Sequence, residues 1–177
     1  MSLRDGTPYR GVLIAFCGLD GSGKTTQANL LAERLRGAGP VPILRPSTDA
    51  FRFDQPITDY RHGRLPPEQA YDMVVEMPLM AAGDLFRQMR TTILPRLEAG
   101  EIVICDRYGY TAYARAYARG FREQEWLSQL NRYLPVPQLT LYIDVQPEVA
   151  VRRVHARDKE PKWEELDLAH LAGCAAW

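Results

Sequence analysis

The sequence predicts an α/β fold in three layers, a parallel sheet covered by helices on both faces. Three observations predict it. Short apolar runs rich in β-branched residues alternate with stretches of helical periodicity, a glycine-rich loop joins the first run to the first helix, and no repeat, long linker or low-complexity tract divides the 177 residues. A chain of this length buries roughly 70% of the surface its unfolded form exposes, so one core suffices without disulfides or a structural metal. A single domain over residues 1–177 is expected.

Residues 1–10 lack periodicity and read as a flexible arm. Gly11–Cys17 is an apolar, β-rich first strand. Thr25–Arg36 carries Leu30, Leu31 and Leu35 at helical spacing and stops at Gly37 and Gly39. Val41–Leu44 reads as a second strand, followed to Pro67 by a polar, proline-containing stretch of loop and irregular helix. Helices are expected over Glu68–Met77 and Leu79–Ala99, the latter kinked near Pro95 and ended by Gly100. Ile102–Cys105 is a continuous apolar run, the pattern of a strand buried on both faces. Helices follow over Thr111–Tyr117 and Arg122–Leu134, then a fourth strand over Leu139–Val145. Pro147 suits the first turn of a helix that continues through Val149, Val151 and Val154, and Trp163–Ala172 reads as a short helix.

Composition narrows the function classes. The 22 basic and 22 acidic side chains cancel, with a pI near 6.8, which argues against a nucleic-acid polymer as partner because such binding needs a basic surplus. The apolar runs fall far short of the ~20 residues of a membrane span, and no secretion signal opens the chain, so a cytoplasmic protein without membrane partners is expected. Cys17, Cys105 and Cys174 lack paired-ligand spacing and read as reduced thiols. Lysine is scarce: only Lys24, Lys159 and Lys162.

One of those lysines sits in Gly18-Leu19-Asp20-Gly21-Ser22-Gly23-Lys24-Thr25, which fits G-x-x-x-x-G-K-[ST] between an apolar strand and an amphipathic helix. The glycines let backbone N–H groups approach phosphate oxygens, and the helix N-terminus adds partial positive charge. Lys24 reaches the β and γ phosphates, and Thr25 can ligate Mg²⁺. Gly18, Gly21, Ser22, Gly23, Lys24, Thr25 and Thr26 are thus candidate nucleotide-binding residues in a P-loop NTPase fold. Asp106 follows the strand Ile102–Cys105, at the sheet edge where ligands of open α/β folds bind, and is the candidate magnesium-facing acid beside Thr25.

Four stretches together resemble the thymidylate kinase family of nucleoside monophosphate kinases over nearly the whole chain. They are GLDGSGKTTQ at 18–27, Arg45 in Leu44-Arg45-Pro46, the triplet Asp106-Arg107-Tyr108, and LYIDVQPEVAVRRVHAR from Leu141. The resemblance implies transfer of the ATP γ-phosphate, with Mg²⁺, to a nucleoside monophosphate, dTMP foremost. By position, Asp20 would bond the acceptor's sugar hydroxyl, Arg45 and Arg107 would hold its phosphate, and Tyr108 would lie beside them. Gly21 stands where some members place an arginine, so the cation for the transition state would come from a lid at about residues 153–163. Arg153 and Arg157, four apart, lead the candidates, with Arg152, Lys159 and Lys162 behind; Lys24, Arg107, Arg153 and Arg157 form the expected catalytic set.

Counting back from Pro95, the family's base-recognition positions fall on Ala81 and Leu85, and after the triplet on Ala112 and Arg115, with Thr111 matching. A one-residue shift would bring in Met80, Phe86 or Arg87. Members commonly pair as homodimers, a state this sequence leaves open, and normally continue into another helix and a fifth strand; with the sequence ending at Trp177, a truncated C-terminus without that strand is the expectation. A kinase acting on another nucleotide or phosphorylated metabolite, and an ATP-binding protein with little catalysis, are the alternative readings.

Overall fold

The computed structural model describes residues 9–45, 47–157 and 161–175. Its strands, β1 (Val12–Cys17), β2 (Ile43–Leu44), β3 (Ile102–Asp106) and β4 (Leu139–Tyr142), form one parallel sheet in the order β2-β3-β1-β4. The two central strands are apolar up to Asp106 at the end of β3 because both faces are covered. Alternation of side chains sends Leu13, Ala15, Val103 and Cys105 to one face, against Leu85, Met89, Ile93 and Leu97. Ile14, Phe16 and Ile104 go to the other, against Ala28. This is the three-layer α/β arrangement the sequence predicts.

Register sets the site. Phe16 pairs with Asp106 and Leu44 with Cys105, so the residues following β1, β2 and β3 leave the sheet side by side at its carboxyl edge. Among the described residues the sheet has four strands, and the outer edge of β4 carries no fifth. β2 and β4 are shorter than expected, although the Ile143 N–H still donates to the Cys17 carbonyl at 2.8 Å past the end of β4.

The helices are α1 (Lys24–Leu35), α2 (Asp49–Arg52), α3 (Gln55–Arg61), α4 (Pro67–Gln88), α5 (Leu94–Glu98), α6 (Gly109–Ala118), α7 (Gln124–Leu130), α8 (Pro147–His155), α9 (Trp163–Leu166) and α10 (Leu168–Ala175). Three departures from expectation have physical causes. Pro78 lies inside α4 instead of dividing it: an interior proline costs ~3 kcal/mol, and the face it shares with Met73, Met77, Ala82 and Leu85 is buried and offsets that cost. The ladder widens instead into a π turn at Met89–Ile93, just ahead of Pro95, which lacks the N–H that would close on the Thr91 carbonyl. The expected helix Trp163–Ala172 splits at Asp167, whose carboxylate accepts from the Ala169 (2.9 Å) and His170 (3.3 Å) N–H groups and starts α10. Among the described residues no helix is long and apolar enough to cross a membrane.

Candidate active site

The loop after β1 is shaped by what cannot sit in it. Gly21 has φ +86°, and a Cβ there would lie 2.4 Å from the Ala150 carbonyl oxygen of α8. Gly23, φ +101°, caps α1, and a Cβ there would meet nothing within 4 Å, so this side of the loop is open. Lys24 is buried at 4% exposure; its ammonium donates to the Leu19 carbonyl and to Ser22 Oγ at 3.2 Å. Burial, reinforced by the Arg107 charge, pulls the Lys24 amine down to about 7, against the opposing pull of Asp20 and Asp106. An amine so placed gains from a polyanion entering the loop, which restores its charge.

Beyond the loop, Thr25 Oγ1 donates to Asp106 Oδ2 at 2.6 Å, and Arg45 contacts both, Nε to Asp106 at 3.3 Å and Nη2 to Thr25 at 3.3 Å. The Asp106 side chain is 5% exposed and that of Arg45 56%, so the carboxylate is fixed and the guanidinium is free to turn. A hydroxyl and a carboxylate in contact form an oxygen-only donor pair that suits Mg²⁺. Among the described residues no three His, Cys, Asp or Glu side chains converge as a metal cage. Thr25 and Asp106 are the residues that would hold a magnesium ion, which would supply positive charge beside the phosphate loop.

The third cluster centres on Asp20, whose Oδ1 accepts from Arg107 Nη2 and whose Oδ2 accepts from Arg115 Nη2 at 2.6 Å. Burial opposes ionisation of this carboxyl, but the two guanidiniums outweigh it and hold the group far below the usual carboxylate range. Arg107 takes φ +87°, a left-handed backbone that costs a side-chain-bearing residue roughly 1–2 kcal/mol. That turn anchors its N–H on the Phe16 carbonyl at 3.0 Å and brings Nη1 to 3.5 Å from the Gly18 carbonyl.

Polyphosphate loop, Thr25–Asp106 pair and arginine cluster thus open on one sheet edge, and the chain-wide pattern matches a known family model, that of thymidylate kinase, over residues 16–173. The chain belongs to the thymidylate kinase family. It is 36% identical over 166 residues to a probable thymidylate kinase of Pyrococcus abyssi, covering 89% of this chain and 76% of that protein. A probable thymidylate kinase 2 of Saccharolobus solfataricus is 34% identical over 161 residues, 90% of this chain and 71% of that one. A probable thymidylate kinase of Archaeoglobus fulgidus is 35% identical over 157 residues, 88% and 76%. Membership makes the chain an ATP-dependent phosphotransferase that acts on a nucleoside monophosphate.

The other residues singled out from the sequence fall as follows. Arg153 reaches the loop from α8, its Nη1 lying 3.4 Å from the Gly21 and 3.3 Å from the Ser22 carbonyl oxygens. Arg157 does not share its helix face, because α8 ends at His155, and Arg157 is exposed beyond it. Lys159 lies outside the described residues. Thr26 is exposed on α1. The Tyr108 hydroxyl is committed to the Pro135 carbonyl at 2.7 Å and its ring to the core, so only its ring edge borders the site. Ala81 and Leu85 do line a small cavity, of about 60 Å³, beside Arg107 and Arg115; Phe86 and Arg87 do not.

Sequence reasoning passed over Arg61, the pairing of Arg115 with Asp20, and the pair Arg119–Glu164. The last is bidentate, at 2.6 and 2.8 Å, between side chains only 4% and 6% exposed. Thr111 and Arg115 lie four apart on α6, and Arg119, four further on, caps its C-terminal end, a spacing that helical periodicity alone would have flagged.

Proposed function

We propose that this kinase transfers the γ-phosphoryl group of ATP to dTMP, giving dTDP and ADP. The observation that carries the proposal is the meeting of the Lys24 loop, the Thr25–Asp106 pair and the Asp20–Arg107–Arg115 cluster on neighbouring strand ends; the names of the relatives support the thymidine acceptor. Two anions must be brought in line against mutual repulsion, so positioning and positive charge supply the catalysis.

In this reading the loop N–H groups and Lys24 cradle the β and γ phosphates, and Thr25 and Asp106 would hold Mg²⁺, which would supply charge neutralisation. Arg45 turns from Asp106 to the acceptor phosphate, joined by Arg107, while Asp20 accepts from the sugar hydroxyl. The acceptor phosphate oxygen forms the new bond to phosphorus as the bond to the β-phosphate oxygen breaks. Arg153, already at the loop, neutralises charge on the group in flight, and Arg157, two residues past the end of α8, is the second cation assigned to that group.

A coupled ADP-release assay over a panel of monophosphates tests the proposal. Turnover of dTMP well above the other acceptors is expected. Turnover of another monophosphate with none of dTMP rejects the thymidine acceptor; ADP release from none of them rejects the kinase. The exposed stripe Tyr71, Val75 and Leu79 on α4 is the face we assign to homodimer contact, read by light scattering of Val75→Glu. A pool of free nucleotides as substrate fits a cytoplasmic enzyme.

A further inference from the structure

Four guanidiniums border the small cavity next to Asp20: those of Arg61, Arg107, Arg115 and Arg119. Three have carboxylate partners, Arg107 and Arg115 sharing Asp20 and Arg119 taking Glu164. Arg61, at the end of α3, has none among the described residues. It is 6% exposed, and its Nε–H is sealed from solvent without an acceptor. Its guanidinium lies over the Phe51 ring at 5.2 Å, a contact that favours its charge but satisfies no N–H. Burial, with Arg115 and Arg119 nearby, pulls it down to about 10, still charged at neutrality. A buried donor left unpaired is a cost that a bound group with lone pairs would remove.

The rest of the wall decides what kind of group. Phe51, Met77, Ala81 and Leu85 are apolar, and Thr111 is the small hydroxyl beside them. A cavity that combines an apolar wall with guanidinium donors suits a flat ring that turns an oxygen-bearing edge toward those donors. A guanidinium has donors only, so an amino group at the same edge would meet donor with donor. We propose that Arg61 reads the base of the acceptor nucleotide and selects a ring with a carbonyl oxygen, as in thymine, over the isosteric ring carrying an amino group there. The inference rests on the monophosphate kinase reading above and adds to it a specificity residue from α3, a helix that contributes nothing to the phosphate-binding clusters.

The test compares dTMP with 5-methyl-dCMP, which keep the same methyl, sugar and phosphate and differ at the edge in question. For the wild type, kcat/KM should favour dTMP by at least ~10²-fold, and Arg61→Gln should shrink that ratio to within ~10-fold, mainly through KM for dTMP. The ratio of dTMP to dUMP, which differ only by the methyl, should stay unchanged. A dTMP to 5-methyl-dCMP ratio in Arg61→Gln within twofold of wild type overturns the proposal. Should Arg61→Gln fail to fold, as judged by circular dichroism, Arg61→Lys decides: it keeps charge and stem but loses the fork, so a ratio severalfold lower supports the proposal and an unchanged ratio overturns it. Wild-type protein that turns over no monophosphate defeats the kinase reading instead; calorimetric titration of the two nucleotides into wild type and variant then decides for Arg61 on the same ratio of affinities.

Discussion

The Thr25 hydroxyl donates to the Asp106 carboxylate across 2.6 Å, joining the first turn of α1 to the end of β3. The contact follows from sheet register, since Phe16 and Asp106 are partners and the loop after β1 returns its helix over the same edge. Asp106→Asn keeps the shape and removes the charge. It should leave the fold intact, lower kcat by roughly 10²-fold and raise the magnesium concentration needed for half-maximal rate. A magnesium titration of the steady-state rate checks this, and an unchanged half-point would take Asp106 out of the cation site.

Lys24, held at about 7 by burial, is mostly neutral at pH 8, and bound phosphates would recharge it. ATP binding at pH 8 should therefore take up close to one proton, read as the slope of binding enthalpy against buffer ionisation enthalpy. Lys162→Gln, which removes a second amine lowered to about 8, should preserve most of that uptake. Lys24→Ala should cut turnover by ~10³-fold or more with the thermal transition retained.

Arg153 and Arg157 should separate. Arg153 touches the loop carbonyls from a formed helix, whereas Arg157 lies past its end. Arg153→Ala should lower kcat ~10²-fold with KM for ATP changed only a few fold. Arg157→Ala should cost less, and the double variant should lower kcat more than it weakens ATP binding. Equal losses in both parameters would make these arginines ground-state ligands.

Glu164 sets an acid limit on stability. Burial raises its pKa, but Arg119 overcomes that and brings it to about 2, below the ordinary 4.5. A depressed carboxyl stabilises the fold above the unfolded value and loses that contribution as pH falls, here between 4.5 and about 2. Arg119→Ala leaves the acid buried and alone and should cost about 3–5 kcal/mol. Denaturant unfolding at pH 7 and pH 3.5 should show the gap between wild type and variant narrowing at the lower pH.

Much of the site was legible because its signals are local. The spacing of Gly18, Gly23, Lys24 and Thr25 between a strand and a helix marks the loop, and the end of an apolar run marks Asp106 and Arg107. What escaped depends on contacts across the chain. Arg61 gains meaning only when α3 packs Phe51 beneath it and brings it to Arg115, 54 residues on by number. The two helices expected over Glu68–Met77 and Leu79–Ala99 run together through Pro78 because the burial that stabilises α4 around it is tertiary. The face expected to hold Arg153 and Arg157 presumed a helix two residues longer than α8.

Gly21 ties the nucleotide loop to the helix carrying Arg153. With only a hydrogen where other residues have a Cβ, the loop rests directly on the α8 backbone at Ala150. Gly21→Ala meets both the left-handed φ, worth about 1–2 kcal/mol, and that carbonyl, and should lower Tm by at least ~3 °C and kcat with it. A long cation at position 21 would need the very space α8 fills, so the chain can arm the loop from within or from the neighbouring helix, but not from both.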